Sequence, residues 1–361
     1  MIGLLEATPD AVGRSEEART ITLTWQSSEP IEMSAELQGR WHQALQSVLR
    51  RGWRMLYLCR LNDNGARTIH LVEMMRGLVG MGEYLPRYFT PYGVVTPPYD
   101  LLIIPGVAAV ALFSGASPDV DDNGIVIRDP HGIGVLQAHA RQLAARTTPL
   151  LTPYFASDTE TVEVMLREAE TRRGERVGVN NGLSVITQPE AWFSEPRMAW
   201  TSGELSLLEW KANARIRGER IAAFKRRLQH DDCSMICAER AIERLARTGV
   251  YPANDLLNRG AQPPSMRVEH LRNVVSLLRA YPRFHLALVS AHLVKDSSPA
   301  GIPIGADWVA PGDRSVFIDA RLPDASDTLV SATLHITEPT VADAFNAYFH
   351  QLWERIPPPS R

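Results

Sequence analysis

Residues 127–149 and 336–358 align without a gap at a constant offset of 209, and this repeat constrains the fold more than any other feature of the chain. Ile127, Pro130, Ala138, Gln142, Leu143, Arg146 and Pro149 return as Ile336, Pro339, Ala347, Gln351, Leu352, Arg355 and Pro358, and the acid of Asp129-Pro130 returns in Glu338-Pro339. An acid followed by proline opens a helix: the anion sits at the positive end of the dipole, and the residue without an N–H occupies the first turn. Leu136, Ala140 and Leu143, matched by Phe345, Phe349 and Leu352, recur at three- and four-residue steps and define one buried stripe. Alternating strands at 124–128 and 333–337 precede the two helices. One unit of strand, acid-Pro and helix is used twice.

The duplication continues upstream. Helix 41–51 running into strand 53–61 reads as the counterpart of helix 271–281 running into strand 283–289, with one breaker between them each time, Gly52 or Pro282. A Pro-Gly turn between two short strands follows in both, at 101–104 and 107–113, then at 307–310 and 314–318. The expected fold is α/β, with two similar α/β halves, 1–150 and 265–361, joined by a helical connector over 151–264. The connector is expected to hold a charged helix at 159–173 and a hairpin over 176–186 turning at Asn181-Gly182. A long amphipathic helix then runs from the capping box Thr201-Ser-Gly-Glu204 to Leu228. Its polar side carries Lys211, Arg215, Arg217, Arg220, Lys225, Arg226 and Arg227, which reads as the solvated face of a spacer, or as a contact to DNA phosphate or an acidic partner.

A chain of 361 residues, 45% hydrophobic, is long enough for two packed domains, and a net charge of −3 argues against a bulk electrostatic hold on nucleic acid or anionic lipid. No apolar run approaches the roughly 20 residues of a membrane helix, and the start at Met1 lacks signal-peptide character, so a soluble, cytoplasmic protein without a membrane partner is expected. Three cysteines, an odd number, fit reduced thiols. Cys233 and Cys237 would share a helix face, but zinc sites want four ligands and no second pair exists; neither metal nor other cofactor is expected. No Gly-x-Ser-x-Gly elbow, phosphate loop or His-Glu-x-x-His pair is present, and Gly132-Ile-Gly134 lacks a third glycine, Gln137 standing in its place.

Strand, glycine turn, strand and an acid-Pro helix ending in an aromatic-rich stretch, here 337–353 and more weakly 128–143, resemble the phospholipase D superfamily, whose members pack two similar α/β halves about a pseudo-twofold axis. The likeness covers most of 30–150 and 265–361. Active members carry His-x-Lys-x-x-x-x-Asp in each half. Aligned on the Pro-Gly turns, the His and Lys positions are Pro98 and Asp100 in the first half and Ile304 and Ala306 in the second, so the resemblance implies a fold without its phosphodiester chemistry. Residues 28–34, 51–61 and 97–106 also resemble the sensor regions of bacterial helix-turn-helix transcription regulators. No basic three-helix segment precedes residue 30, so DNA is expected only through a separate domain or partner.

These readings converge on a non-catalytic regulatory or sensor module that binds a small molecule or a protein partner, with homodimerisation as one way to bury its sheets. The expected ligand site is the cleft at the carboxy ends of facing strands: Tyr99 and Asp100 with Asp307 and Trp308, Trp308 as a stacking face, and Tyr88 to Tyr92 as a lid. The alternative is an enzyme with an unrecognised site, for which His131, His139, His285, His292 and Asp100 are the scattered candidates.

Overall fold

The computed structural model describes residues 1–25, 35–61, 65–89, 99–113, 123–193, 207–251, 261–290, 307–312, 314–323 and 329–357. They fall into two units, residues 1–152 with 322–330 and residues 153–321 with 331–361. Each unit is built on a sheet of seven strands.

In the first unit a short helix α1 (Ile2–Glu6) precedes β1 (Thr20–Trp25), α2 (Ala35–Arg50), β2 (Arg54–Arg60), α3 (Gly65–Arg76) and β3 (Tyr84–Phe89). Strands β1, β2 and β3 are parallel, each joined to the next through a helix, as parallel pairing requires. From β1 the sheet grows outward as an antiparallel meander of β4 (Tyr99–Ile104), β5 (Ala108–Phe113) and β6 (Asn123–Ile127), followed by α4 (Pro130–Ala144). Gly106, at φ +69°, makes the β4–β5 turn, and β7 (Thr147–Pro149) pairs with β3 to give the order β6-β5-β4-β1-β2-β3-β7.

The second sheet and its helices comprise β8 (Thr152–Phe155), α5 (Thr159–Thr171), β9 (Arg176–Asn180), α6 (Leu207–Arg227), β10 (Cys233–Ala238), α7 (Glu239–Thr248), α8 (Pro264–Ala280) and β11 (Phe284–Val289). Then come β12 (Asp307–Pro311), β13 (Val316–Pro323), β14 (Leu329–Ile336) and α9 (Pro339–Arg355). The sheet order is β11-β10-β9-β12-β13-β14-β8. Six strands repeat the first sheet, three parallel ones and then a meander leading into the acid-Pro helix, while the seventh changes edge: β8 lies beside β14, whereas β7 lies beside β3.

The ladders correct the boundaries read from the sequence. The counterpart of α2–β2 is α6–β10, not α8–β11, and residues 151–264 are no connector: they supply β9 and β10, the first two parallel strands of the second half. A helix, one breaker and a strand look the same at every crossover, so only the pairing tells which crossover is which.

Three local readings also change. The run after Asn181-Gly182 does not return as a hairpin, because both sides of β9 are taken by β10 and β12; Val185–Thr187 is a single 3₁₀ turn. Cys233 and Cys237 lie on β10, where an even spacing also puts two side chains on one face. The long helix is not a spacer: its described side chains on one flank, Ala214, Ile221, Phe224 and Leu228, pack with Trp192, Phe193, Met235 and Phe284, while Arg217, Arg220 and Arg227 are buried toward α5. The cap residue Thr201 lies outside the described residues.

The repeated helix starts form as the sequence dictates. The Asp129 carboxylate accepts the Gly132 N–H at 2.8 Å with Pro130 in the first turn, and the Glu338 carboxylate accepts the Thr340 N–H at 3.4 Å and its hydroxyl at 3.0 Å with Pro339 in the first turn. Changing Asp129 to Ala should cost about 1 kcal/mol, seen as a lower urea midpoint. An unchanged midpoint would mean that the α4 start is held by packing alone.

Candidate functional site

The expected site residues start from β4 and β12, the first meander strand of each sheet. In the first sheet Cys59 on β2 is paired with Trp25 on β1 and with Tyr88 on β3. The β1–β4 register, Thr22 with Ile103 and Leu23 with Leu102, brings Asp100 beside Trp25 when continued to the end of β1. In the second sheet Cys237 is paired with Asn180, and the β9–β12 register, Trp308 with Val179, continues to bring Asp307 beside Asn180. Thiol, strand end and aspartate therefore occupy corresponding places in the two halves, at the carboxy ends of the parallel strands. The register equates Asp100 with Asp307, one residue away from the match made on the Pro-Gly turns, since β12 reaches its turn one residue sooner.

Strand pleating divides the residues that the sequence put together. Neighbours along a strand point to opposite faces, so Tyr99 and Asp100 are separated, as are Asp307 and Trp308. Tyr99 meets Phe113 edge-on at 5.9 Å and packs on the cluster that includes Ile127 and Leu136 of the α4 side. Trp308 is 6% exposed, with its ring edge-on to Phe345 at 4.9 Å and to Phe349 at 6.4 Å. It is a core residue against α9 and offers no open stacking face. Tyr88 is buried within β3 rather than carried on a lid, and 90–92 lie outside the described residues. Tyr88 shares the row with Asp100 but stands three strand spacings from it, about 14 Å.

What gathers around each aspartate was not visible in the sequence. In the first unit Arg67 of α3 is 2% exposed, donates to the Arg60 carbonyl at 2.7 Å and lies over the Trp25 ring at 5.3 Å. Burial lowers its pKa, while Cys59, Tyr57 and Asp100 act to raise it. In the second unit the Asp307 carboxylate accepts the Asn181 backbone N–H, and Asp319 sits opposite on β13 with its own carboxylate bonded by the Thr333 hydroxyl at 2.8 Å. Burial pushes Asp307 up to about 6, Asp319 adds to the rise, and the Asn181 N–H and the Arg244 charge oppose it. Burial also pushes the Cys59 and Cys237 thiols up to about 12, so neither row offers a thiolate at neutral pH.

The other candidates do not assemble. His131 is exposed and His139 half-buried on α4, His285 is exposed on β11, and His292 lies outside the described residues. Among the described residues no group of three or more His, Cys, Asp or Glu is placed to hold a metal ion. The basic face of α6 is largely spent inside the second unit: Arg217 and Arg220 on Glu163, Arg227 on the Ala169 and Arg172 carbonyls, Arg215 on Glu219 and Lys225 on Glu190. A phosphate contact through these five residues would have to break those pairs, which leaves Lys211 and Arg226 as the exposed cations of the face outside them. Among the described residues no helix is long and apolar enough to cross a membrane.

No family model matches the chain, and no curated protein does. Among solved structures it is similar to NucT from Helicobacter pylori, at 10% identity and a TM-score of 0.31, over 57% of this chain and 96% of that one. It is also similar to the archaeal chromatin protein TrmBL2, at 9% identity and 0.29, over 63% of this chain and 60% of that one. A third is Nuc from Salmonella typhimurium, described as a phospholipase D family member, at 9% identity and 0.26, over 57% and 95%. At such scores these likenesses carry neither a family name nor an activity to the chain.

Proposed function

We propose that this chain is a non-catalytic regulatory module, a duplicated α/β fold of phospholipase D-like design whose strand-end aspartates take a small ligand bearing hydrogen-bond donors or positive charge. The observation that carries this reading is the aspartate at the same register of both sheets. If Asp100 stands at the family's Lys position, the register puts Asp307 there too, and the His positions two residues earlier hold Pro98 and Gly305. A carboxylate in place of an ammonium repels phosphate, and no imidazole is available at those positions to attack it. A half-buried acid favours a ligand that brings a donor or a cation instead. The regulatory role, with DNA reached through a separate domain or partner, follows the likeness of 28–34, 51–61 and 97–106 to regulator sensor regions.

Thermal-shift measurements on the whole chain test the reading, with alkyl diamines and guanidines as one probe set and inorganic phosphate and nucleotides as the other. The cationic set should raise the melting temperature and lose that effect in Asp307→Asn, while the anionic set should not stabilise. Stabilisation by phosphates, or turnover of bis(4-nitrophenyl) phosphate that disappears in Asp100→Ala or Asp307→Ala, would replace this reading with an enzyme.

A further inference from the structure

Helix α8 buries Met266, His270, Val274 and Leu277 and turns a second apolar row to solvent. Val268 is 45% exposed, Val275 44% and Leu278 37%, with Leu271 half-buried between them. Their spacing of three, four and three residues is that of a coiled-coil seam. A groove of ≈ 650 Å³ opens on the Val268, Leu271 and Val275 part of this row, with Arg272, Ser276 and Arg279 also among its described lining residues. The helix in the same position of the first half, α3, leading into the third parallel strand, buries seven of its 12 residues, whereas α8 buries four of 17. Among the described residues, α8 is thus left with more of its surface open than α3.

Charge selects the occupant. Arg272 and Arg279, two turns apart on the rim of the groove, are exposed and have no carboxylate partner among the described residues, unlike the buried arginines of α6. Along its length α8 carries Arg267, Arg272 and Arg279 against one acid, Glu269, so a second copy of α8 would meet like charge. An apolar row flanked by unpaired guanidinium groups fits a helix laid into the groove with its own apolar row inward and carboxylates on its flanks. We propose that α8 is the docking face for an acidic amphipathic helix of another protein. It stands independently of the ligand at the strand-end aspartates.

The test uses the whole chain and two fluorescent helix-forming peptides with Leu at the a and d positions, one with Glu and one with Lys at e and g. Anisotropy should show binding of the Glu peptide, at least about tenfold tighter than the Lys peptide. The double change Arg272→Glu and Arg279→Glu should invert that preference, and Val275→Asp should abolish binding of the Glu peptide; all three positions are exposed, so melting temperatures should not move. Equal binding of the two peptides, no binding, or a preference untouched by charge inversion would overturn the proposal. So would a dimer in sedimentation that Val275→Asp dissolves, which would give this face to a second copy.

Discussion

Changing Glu163 to Gln is expected to lower the stability of the protein by about 3–5 kcal/mol at pH 7, because it strands two buried guanidinium groups. Glu163 on α5 is 5% exposed; Arg217 binds it in a fork, Nε at 3.0 Å and Nη2 at 2.6 Å, and Arg220 approaches at 3.4 Å. One heptad further along α5 the arrangement recurs, Glu170 taking Arg176 at 2.9 Å with Arg227 at 4.0 Å. Burial alone would raise the Glu163 pKa, but the two arginines outweigh it and hold the carboxyl below 4.5. The folded value lies under the unfolded one, so this stabilisation is complete above pH about 4.5 and fades as pH falls through the folded value. Urea unfolding followed by circular dichroism should therefore separate wild type from variant by less at pH 3 than at pH 7. Replacing all three residues with apolar ones, Glu163→Leu, Arg217→Leu and Arg220→Met, should recover most of the loss, since an intact apolar contact needs no counter-charge. A loss under about 1 kcal/mol for Glu163→Gln would mean that water reaches the pair.

That network explains why half of the fold was legible and half was not. The acid-Pro starts of α4 and α9 were readable because capping is decided by residues two or three apart. The meander strands were readable because Pro-Gly turns announce themselves locally; β4 and β12 begin within two residues of where the pattern put them. Strand β9 was legible only as one arm of a hairpin, and β10 was hidden behind α6, whose arginines look like a solvated face until the acids of α5, some 50 residues away, are laid against them. Cys233 and Cys237 show a further ambiguity, since a four-residue spacing keeps two side chains on one side of a helix and of a strand alike. At the candidate site the aspartates were found as charges in apolar surroundings. Arg67, Asp319 and Arg244 were not, because neither strand register nor the packing of a crossover helix is encoded in nearby residues.

Changing Asp307 to Asn should act in the opposite direction and stabilise the protein at pH 8. The folded carboxyl titrates at about 6 against 3.8 for an unperturbed one, a difference worth about 3 kcal/mol. A raised folded pKa means that the group favours folding fully below pH 3.8, loses that contribution as pH rises through 6, and leaves the ionised carboxylate as a standing cost above it. The amide of the variant would keep an oxygen to accept the Asn181 N–H and would remove the repulsion from Asp319, so the cost is lost without losing the contact. Melting curves of wild type and variant should coincide near pH 3.5 and separate progressively up to pH 7, with the variant higher. A variant no more stable at pH 8 would show that the carboxylate already has a compensating partner in the folded chain, and the case for a ligand there would fall with it. On the proposed reading, that cost is what a bound cation would offset, as for a site strained until its partner arrives. The same cationic probes that stabilise the wild type should then gain affinity as pH rises through 6, since only the ionised Asp307 attracts them, and Asp307→Asn should flatten that pH dependence.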